Sequence, residues 1–449
     1  MTQKILGIIL LLALSQILWA QFSFSAEMVR KTTLSNGLTL VVAERNQLPI
    51  VHLQVLLRAG SSVDTAQQSG LANLTAELLL QGTATQEATQ ISRRIESVGG
   101  SLTSGADLDY TSIHLAVLKK DLPLGMELLA DILLNPQFAE PEVSRKIAEM
   151  KARLKRMEEE PRQIAQLAFA KSLFRDHPYA RPVEGSVATL DQLTRADIQR
   201  FFQSYYRPNN AQVTIVGQIN LEEAAGILEK VLGGWQAVPI QKPPLTAPRE
   251  LPRPEVVKID RSSSQANILW GHLGINRGNP DYYTLLVMNY ILGGGGFVSR
   301  LMDQIRDNLG LTYGIHSHFE AREFPGAFEI SLETRNQNTN QAVAEIMKEL
   351  KKFLEKGVTA TELAEAKAYL TGSFPMRMDT NAKMVKLLSA ITFYGLGLDY
   401  PEKYPQLINQ VTEGEILRAA RQYLQPDRFL LVVVGNQKEI ALKETWEIR

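Results

Sequence analysis

The chain of 449 residues contains no cysteine. It therefore cannot form disulfides, thiolate zinc sites or cysteine-ligated iron–sulfur clusters, and it cannot use a cysteine nucleophile. Any metal ion would have to be bound by carboxylates and by the six histidines.

Neither sign of charge is in excess, because the chain has 48 basic and 48 acidic residues. The composition thus gives no electrostatic drive toward nucleic acid or an acidic membrane surface, and we predict neither as a partner. The apolar fraction of 45% and the charged fraction of 21% are typical of a globular protein with a sizeable core.

The longest apolar run lies at the N-terminus, where Lys4 is followed by Ile5–Leu14 and then by small residues at Ala20 and Ala26. This run is shorter than the roughly 20 residues that span a bilayer. A basic start, a short apolar run and a small-residue exit are typical of a secretory signal peptide, although an uncleaved anchor is the alternative. We predict a signal peptide at residues 1–26, cleaved after Ala20 or Ala26, and a periplasmic or secreted mature protein without membrane attachment.

A helix–turn–strand pattern is present twice. The segment 193–217 matches the segment 411–435 at a constant offset of 218, so that Thr194 corresponds to Thr412. Both copies have an amphipathic helix, a proline turn and an apolar strand that ends at glycine. A register kept without a gap over the whole segment indicates an internal duplication.

Six prolines lie between the two copies, from residue 239 to residue 254. Proline excludes a helix interior and a central strand, so this stretch predicts an extended connector. We therefore expect an N-terminal domain at 27–235, a proline-rich linker at 236–256 and a C-terminal domain at 257–449.

Within the two halves, runs of strands are followed by runs of helices. The patterns predict strands at 38–43 and 52–57 around a turn, a strand at 327–334, and helices at 70–80, 121–134, 142–160 and 282–292, the last ended by Gly293. This order favours an α+β fold, in which each half is an antiparallel sheet with helices packed on it.

Residues Gly70–Thr83 resemble the helix that carries the inverted zinc motif of the pitrilysin/insulinase peptidase family, Gly-Leu-Ala-His-x-x-Glu-His. The flanking residues match, but Asn73 stands for the first histidine, Ala76 for the catalytic glutamate and Glu77 for the second histidine. The resemblance, which includes mitochondrial processing peptidase-like proteins, also covers Leu34–Leu38, His177–Tyr179 and Tyr206–Asn210.

The family's third zinc ligand is a glutamate on a later helix, and the resemblance places that position near Arg153, with Glu149 as the nearest acid. An asparagine amide is a poor zinc ligand, alanine has no proton to transfer, and a guanidinium repels a dication. We therefore predict that this chain binds no zinc of its own and lacks the general base.

The remaining histidines offer no evident substitute site. Four are isolated in the sequence, and two share one strand face without an acid in register; they are His52, His114, His177 and His272, and then His316 and His318. The Gly293–Gly296 run lacks the lysine and hydroxyl residue that follow a phosphate-binding loop, so a helix exit is the better interpretation.

Arg306 and Tyr313, with a turn at Gly310 between them, resemble the arginine/tyrosine pair that reaches the family's active site from the opposite half. A guanidinium and a phenol are donors that can hold a substrate carbonyl and stabilise an oxyanion. The alternative is a solvated arginine on a helix and a tyrosine packed on a strand.

Some bacterial members of this family are heterodimers, in which one subunit brings the zinc motif and the other the arginine/tyrosine pair. The resemblance implies a non-catalytic subunit of a periplasmic zinc metallopeptidase that acts on unfolded peptides, with zinc in a homologous partner subunit. A homodimer of this chain is the alternative assembly. The rival hypotheses are a peptide-binding or scaffold protein without proteolytic function, and a self-sufficient enzyme with a rebuilt metal site.

Overall fold

A computed structural model describes residues 29–241 and 243–443. The predicted signal peptide at 1–26 lies outside the described residues. Within the described ranges, no helix has both the length and the apolar character that crossing a membrane requires.

The fold is α+β, as predicted. The strands are β1 (Val29–Thr33), β2 (Thr39–Glu44), β3 (Ile50–Leu57), β4 (Ser101–Ala106), β5 (Thr111–Leu118), β6 (Ala211–Gly217), β7 (Glu255–Asp260), β8 (Gln265–Leu273), β9 (Thr312–Ala321), β10 (Pro325–Arg335) and β11 (Leu430–Gly435). The helices are α1 (Leu71–Leu78), α2 (Ala88–Ser97), α3 (Leu122–Leu134), α4 (Glu140–Met157), α5 (Pro161–Phe174), α6 (Val187–Leu190), α7 (Arg195–Tyr205), α8 (Leu221–Leu232), α9 (Tyr282–Asn289), α10 (Thr339–Lys356), α11 (Ala360–Ser373), α12 (Asn381–Phe393), α13 (Tyr400–Gln410), α14 (Glu413–Tyr423) and α15 (Gln437–Ile440).

The strands form two sheets with one shared topology. The first sheet has the order β1-β2-β6-β3-β5-β4 and the second has the order β7-β11-β8-β10-β9. Apart from the additional β1, the two orders correspond strand by strand, and each contains one parallel pair, β2/β6 or β7/β11, among antiparallel neighbours. The sheets are therefore mixed rather than purely antiparallel. The two halves that the sequence repeat predicts therefore share one strand topology.

The expected turn between the first two predicted strands does not form a hairpin. β2 and β3 both pair with β6, which lies between them. The sequence-distant β6 separates them because a strand that is buried at all seven positions is most stable in the sheet interior.

Each sheet buries one face beneath helices of its own half. In β10, Phe328, Ile330 and Leu332 face the helices and are buried, whereas Glu333 and Arg335 lie on the other face and are exposed. This alternation follows from the period of two of a β-strand.

The other face of each sheet is covered by a helix from the opposite half. Helix α5 packs Phe169 and Leu173 into an apolar cluster with Leu269 and Val432 of the second sheet. Helix α12 lies on the first sheet, where the Gln212 amide donates to the backbone oxygen of Ser389 at 2.7 Å. The two helices begin at residues 161 and 381, close to the repeat offset. Each half therefore completes the packing of the other.

Polar contacts also join the hairpin turns of the two sheets. The Arg322 guanidinium donates to the Asp107 carboxylate at 2.7 Å, and the Glu323 amide donates to the Asp109 carboxylate at 3.2 Å. These contacts connect the turn after β4 to the turn after β9, so the two edge strands are held in a fixed relation.

The predicted helix at 282–292 is α-helical only to Asn289 and continues as a π-helical turn, Tyr290–Gly294. A Cβ atom at Gly293 would lie 2.5 Å from Ser317 Oγ, so only glycine lets this turn pack directly on β9. A second π-helix, Met302–Asn308, carries Arg306. Such π-helical turns are uncommon and often occur at functional sites.

Candidate functional site

Helix α1 carries the degenerate motif positions and is largely buried. Asn73 is 6% exposed and Ala76 is fully buried. The helix begins at Gly70, whose φ of 99° lies in the left-handed region, and the Asp64 carboxyl group accepts the Gly70 and Ala72 amides at 3.1 Å. Burial raises the pKa of Asp64 to about 8, although these two donors favour its ionised form.

The side chains at the predicted zinc positions form a charged cluster. Glu77 accepts two hydrogen bonds from one nitrogen of Arg153, at 2.9 and 3.0 Å, and one from the Asn73 amide at 3.0 Å. The Lys146 ammonium lies 3.6 Å from the same carboxylate. The structure thus brings Asn73, Glu77 and Arg153 together, and the cluster joins α1 to α4.

This charge cluster does not fit a zinc ion. Its one carboxylate, Glu77, is already shared by two cations, and the Arg153 guanidinium occupies the side of Glu77 that faces α4. Ala76 offers no group that could take a proton. Within residues 29–241 and 243–443, no group of three or more histidine, aspartate or glutamate side chains is arranged to hold a metal ion.

Lys146 is a member of this cluster that sequence reasoning missed. It precedes Arg153 by seven positions, which places both side chains on one face of α4. Glu149, the nearest acid in the sequence, lies toward solvent and pairs with Arg145 and Lys146. The hydrogen bond from Lys146, together with Arg145, lowers the pKa of Glu149.

Two histidines that look isolated in the sequence are neighbours in the fold. His52 Nδ1 lies 3.3 Å from His114 Nε2 across β3 and β5. Burial, with His52 and Lys386 nearby, lowers the pKa of His114 to about 4, and burial also lowers the pKa of His52. The sequence separates these two residues, the fold brings them together, and the lowered pKa of each favours the neutral imidazole.

Two other histidines have structural roles. His177 Nδ1 accepts the Tyr179 amide at 3.1 Å and so caps a short turn. His272 is buried in the core, where Nε2 accepts the Gln425 amide at 3.2 Å and Nδ1 lies 2.8 Å from the Leu273 oxygen.

His316 and His318 lie on the face of β9 that is turned away from the core. The prediction that no acid stands in register with them is wrong, because Glu329 pairs with His318 across β9 and β10. Burial and the nearby Glu320 raise the pKa of Glu329, while Arg162 lowers it. The net shift of its pKa is upward, so burial outweighs the effect of Arg162 on this acid.

Arg306 and Tyr313 lie on the surface of the second half. The Tyr313 side chain is 91% exposed, so the alternative of a packed strand tyrosine is wrong. Arg306 donates to the Asp307 carboxylate at 2.6 Å, and its guanidinium carbon lies 4.8 Å from the ring centre of Phe297. Both residues line an open cavity of about 410 Å³ at the end of the second sheet.

Two family models match the chain. The one described as "Insulinase (Peptidase family M16)" matches residues 40–187, and the one described as "Peptidase M16 inactive domain" matches residues 192–370. The chain belongs to the insulinase family of peptidases. The expected resemblance is confirmed over both halves.

Relatives of this insulinase-family chain extend over most of its length. An uncharacterized zinc protease of Streptomyces coelicolor is 27% identical over 420 residues, which cover 92% of this chain and 90% of that protein. An uncharacterized zinc protease of Bacillus subtilis is 24% identical over 362 residues, covering 80% and 86%. Those proteins are named for zinc, whereas the described part of this chain has no group of three or more side chains arranged to hold a metal ion.

Solved structures agree with the fold. The peptidase M16 inactive domain from Pseudomonas fluorescens superposes with a TM-score of 0.86 at 29% identity, covering 91% of this chain and 97% of that one. A protease from Helicobacter pylori gives a TM-score of 0.85 at 19% identity, covering 90% and 99%, which supports the fold alone. The two-sheet architecture is thus that of the family.

Proposed function

We propose that this chain is the non-catalytic subunit of an insulinase-family zinc peptidase, and that it supplies Arg306 and Tyr313 to the zinc site of a homologous partner subunit. The observation that carries the proposal is an asymmetry between the halves. In the first half, the ion pair between Glu77 and Arg153 occupies the motif positions. In the second half, Tyr313 is 91% exposed beside Arg306. A donor pair that faces outward is suited to a site completed by another molecule.

The chemistry follows from the two side chains. The Arg306 guanidinium and the Tyr313 hydroxyl can donate to the carbonyl oxygen of a bound peptide, orient it, and stabilise the negative charge that develops on it during attack by water. A zinc ion in the partner subunit would supply the activation of that water. On the basis of the predicted signal peptide we propose that the complex is periplasmic, and we propose unfolded peptides as its substrates.

The test is to mix the purified chain with a homologous subunit that has an intact zinc motif and to follow the cleavage of fluorogenic peptides. We expect cleavage by the mixture, and a fall in kcat/KM of about 100-fold or more with Arg306→Ala, since loss of one oxyanion donor typically costs 100- to 1000-fold. Tyr313→Phe removes only the hydroxyl and should also lower the rate. Arg200→Ala, at an exposed arginine of α7, is the matched control.

Equal rates for wild type and Arg306→Ala would contradict the proposal. A second candidate function, peptide binding without proteolysis, is favoured by the closed Glu77–Arg153 cluster, which removes hydrolytic chemistry from the first half. That candidate predicts peptide binding but no cleavage with any zinc-motif subunit. A homodimer of this chain would show the same result.

A further inference from the structure

His52 and His114 form a pair of facing imidazoles on the first sheet, in the half that does not contain Arg306 and Tyr313. His52 Nδ1 lies 3.3 Å from His114 Nε2, the ring centres are 5.4 Å apart, and the ring planes are inclined by 42°. Because these two nitrogens are closer together than the ring centres, they are the atoms that face each other. Both side chains are only half-buried, so a solute ion can reach them.

The separation of the two nitrogens is that of two ligands of one metal ion. Zinc–nitrogen bonds of about 2.0–2.1 Å at the tetrahedral angle place two ligand nitrogens about 3.3–3.4 Å apart. A metal ion binds the neutral imidazole, and the lowered pKa of both residues favours that form. Each ring can present a lone pair on its facing nitrogen by carrying its proton on the other nitrogen, so no proton has to be released.

Gln54 adds an oxygen donor beside this pair. It lies directly opposite His114 across β3 and β5 and two residues from His52, so its side chain is on the same face of the sheet. In the part of the chain that the structure describes, the Gln54 Oε1 atom is buried and accepts no hydrogen bond. A buried acceptor left in this state costs free energy unless a further group contacts it.

We propose that His52, His114 and Gln54 form a binding site for a divalent transition-metal ion such as Zn²⁺, which would link β3 to β5. Imidazole nitrogens are typical ligands of zinc, copper and nickel, whereas Mg²⁺ prefers oxygen ligands.

Binding at this site should be weak, for two reasons. Neither a third histidine nor a carboxylate completes the set within the described ranges, and the Lys386 cation of α12 lies near His114. With two imidazoles in place of the three or four strong ligands of established zinc sites, we expect a dissociation constant of about 10–100 µM for Zn²⁺. Such an ion is lost on dialysis, so its binding has to be measured by titration.

The experiment titrates the purified, chelator-treated chain with Zn²⁺ in a calorimeter and repeats the titration with Mg²⁺. We expect one Zn²⁺ per chain in this affinity range and no binding of Mg²⁺. His114→Gln should weaken Zn²⁺ binding at least about tenfold, because it removes one of the two nitrogen ligands. The matched control replaces His316 and His318 by glutamine, since these two histidines also lie close together on one strand, and it should leave the affinity unchanged.

A second variant, Lys386→Gln, keeps all three donors and removes the nearby cation, so it should tighten Zn²⁺ binding by about two- to fivefold. Lys386 is exposed, and this variant therefore tests the site even if His114→Gln does not fold, which thermal melts show.

A wild-type chain that binds no Zn²⁺ would overturn the site and leave the two histidines as a hydrogen-bonded pair. An affinity that neither His114→Gln nor Lys386→Gln changes would also overturn it. Loss of binding in the control variant would assign the ion to His316 and His318 instead. The measurements need no partner subunit and do not involve Arg306 or Tyr313, so their outcome is independent of the proposed function.

Discussion

Substituting Asn73→His, Glu77→His and Arg153→Glu together should convert the first half into a zinc-binding protein, with about one zinc ion per chain and a dissociation constant below about 1 µM. Arg153 reaches Glu77 at 2.9 Å from α4, and Asn73 reaches the same carboxylate at 3.0 Å, so the three positions face one another. Keeping Ala76 avoids placing a carboxylate at a fully buried position. Elemental analysis after dialysis and titration calorimetry measure the result.

The matched control is the pair Asn73→His and Glu77→His with Arg153 retained. This variant lacks the third ligand and keeps a guanidinium that repels a dication, so we expect no stoichiometric zinc. The idea fails if the triple variant melts like the wild type yet binds no zinc. If the triple variant is unstable without metal, zinc should raise its melting temperature, because a ligand that binds only the folded state stabilises it.

Dividing the gene within the 236–256 linker should give two fragments that fold together but not separately. Without α5, the second fragment exposes Leu269, Leu430 and Val432 of its sheet, and without α12 the first sheet loses the cover of its other face. Each fully buried Phe or Leu contributes about 1.5–3 kcal/mol. Several such losses equal the total stability of about 5–15 kcal/mol of a typical domain. Expression of each fragment alone and of both together, followed by gel filtration and thermal melts, measures the outcome.

A suitable control has a protease site inserted in the linker and cut after folding. It should remain one particle, with a melting temperature close to that of the uncut chain, because α5 and α12 stay packed on the sheets of the opposite halves. A single fragment that is monomeric and melts cooperatively would show that the exchanged helices are dispensable.

The sequence predicts the duplicated architecture but not how the halves interlock. The constant offset of 218 indicates two copies of one unit, and the structure has the same strand order in both sheets. Periodicity identifies the apolar face of a helix, not the sheet that this face covers. The exchange of α5 and α12, and the insertion of β6 between β2 and β3, depend on long-range contacts and are therefore visible only in the fold.

The degenerate site, too, is predictable from the sequence in part only. Asn73, Ala76 and Glu77 are recognisable because their flanking residues keep the family pattern. The pairing of Glu77 with Arg153 links residues on different helices, so spacing suggests it only approximately. Lys146 carries a detectable signal, since it lies two helical turns before Arg153 on the same face.

The exchange of α5 and α12 bears on how this molecule can move. A proline-rich connector between two similar halves suggests a hinge, yet each half lies across the outer face of the other, and their hairpin turns are joined by Arg322 and Asp107. We therefore expect the two halves to move together as one unit and not to open about the linker. If this chain encloses peptides with another subunit, we expect the opening that admits them to form between the two subunits. Arg306 and Tyr313 should then keep their positions relative to the rest of this chain.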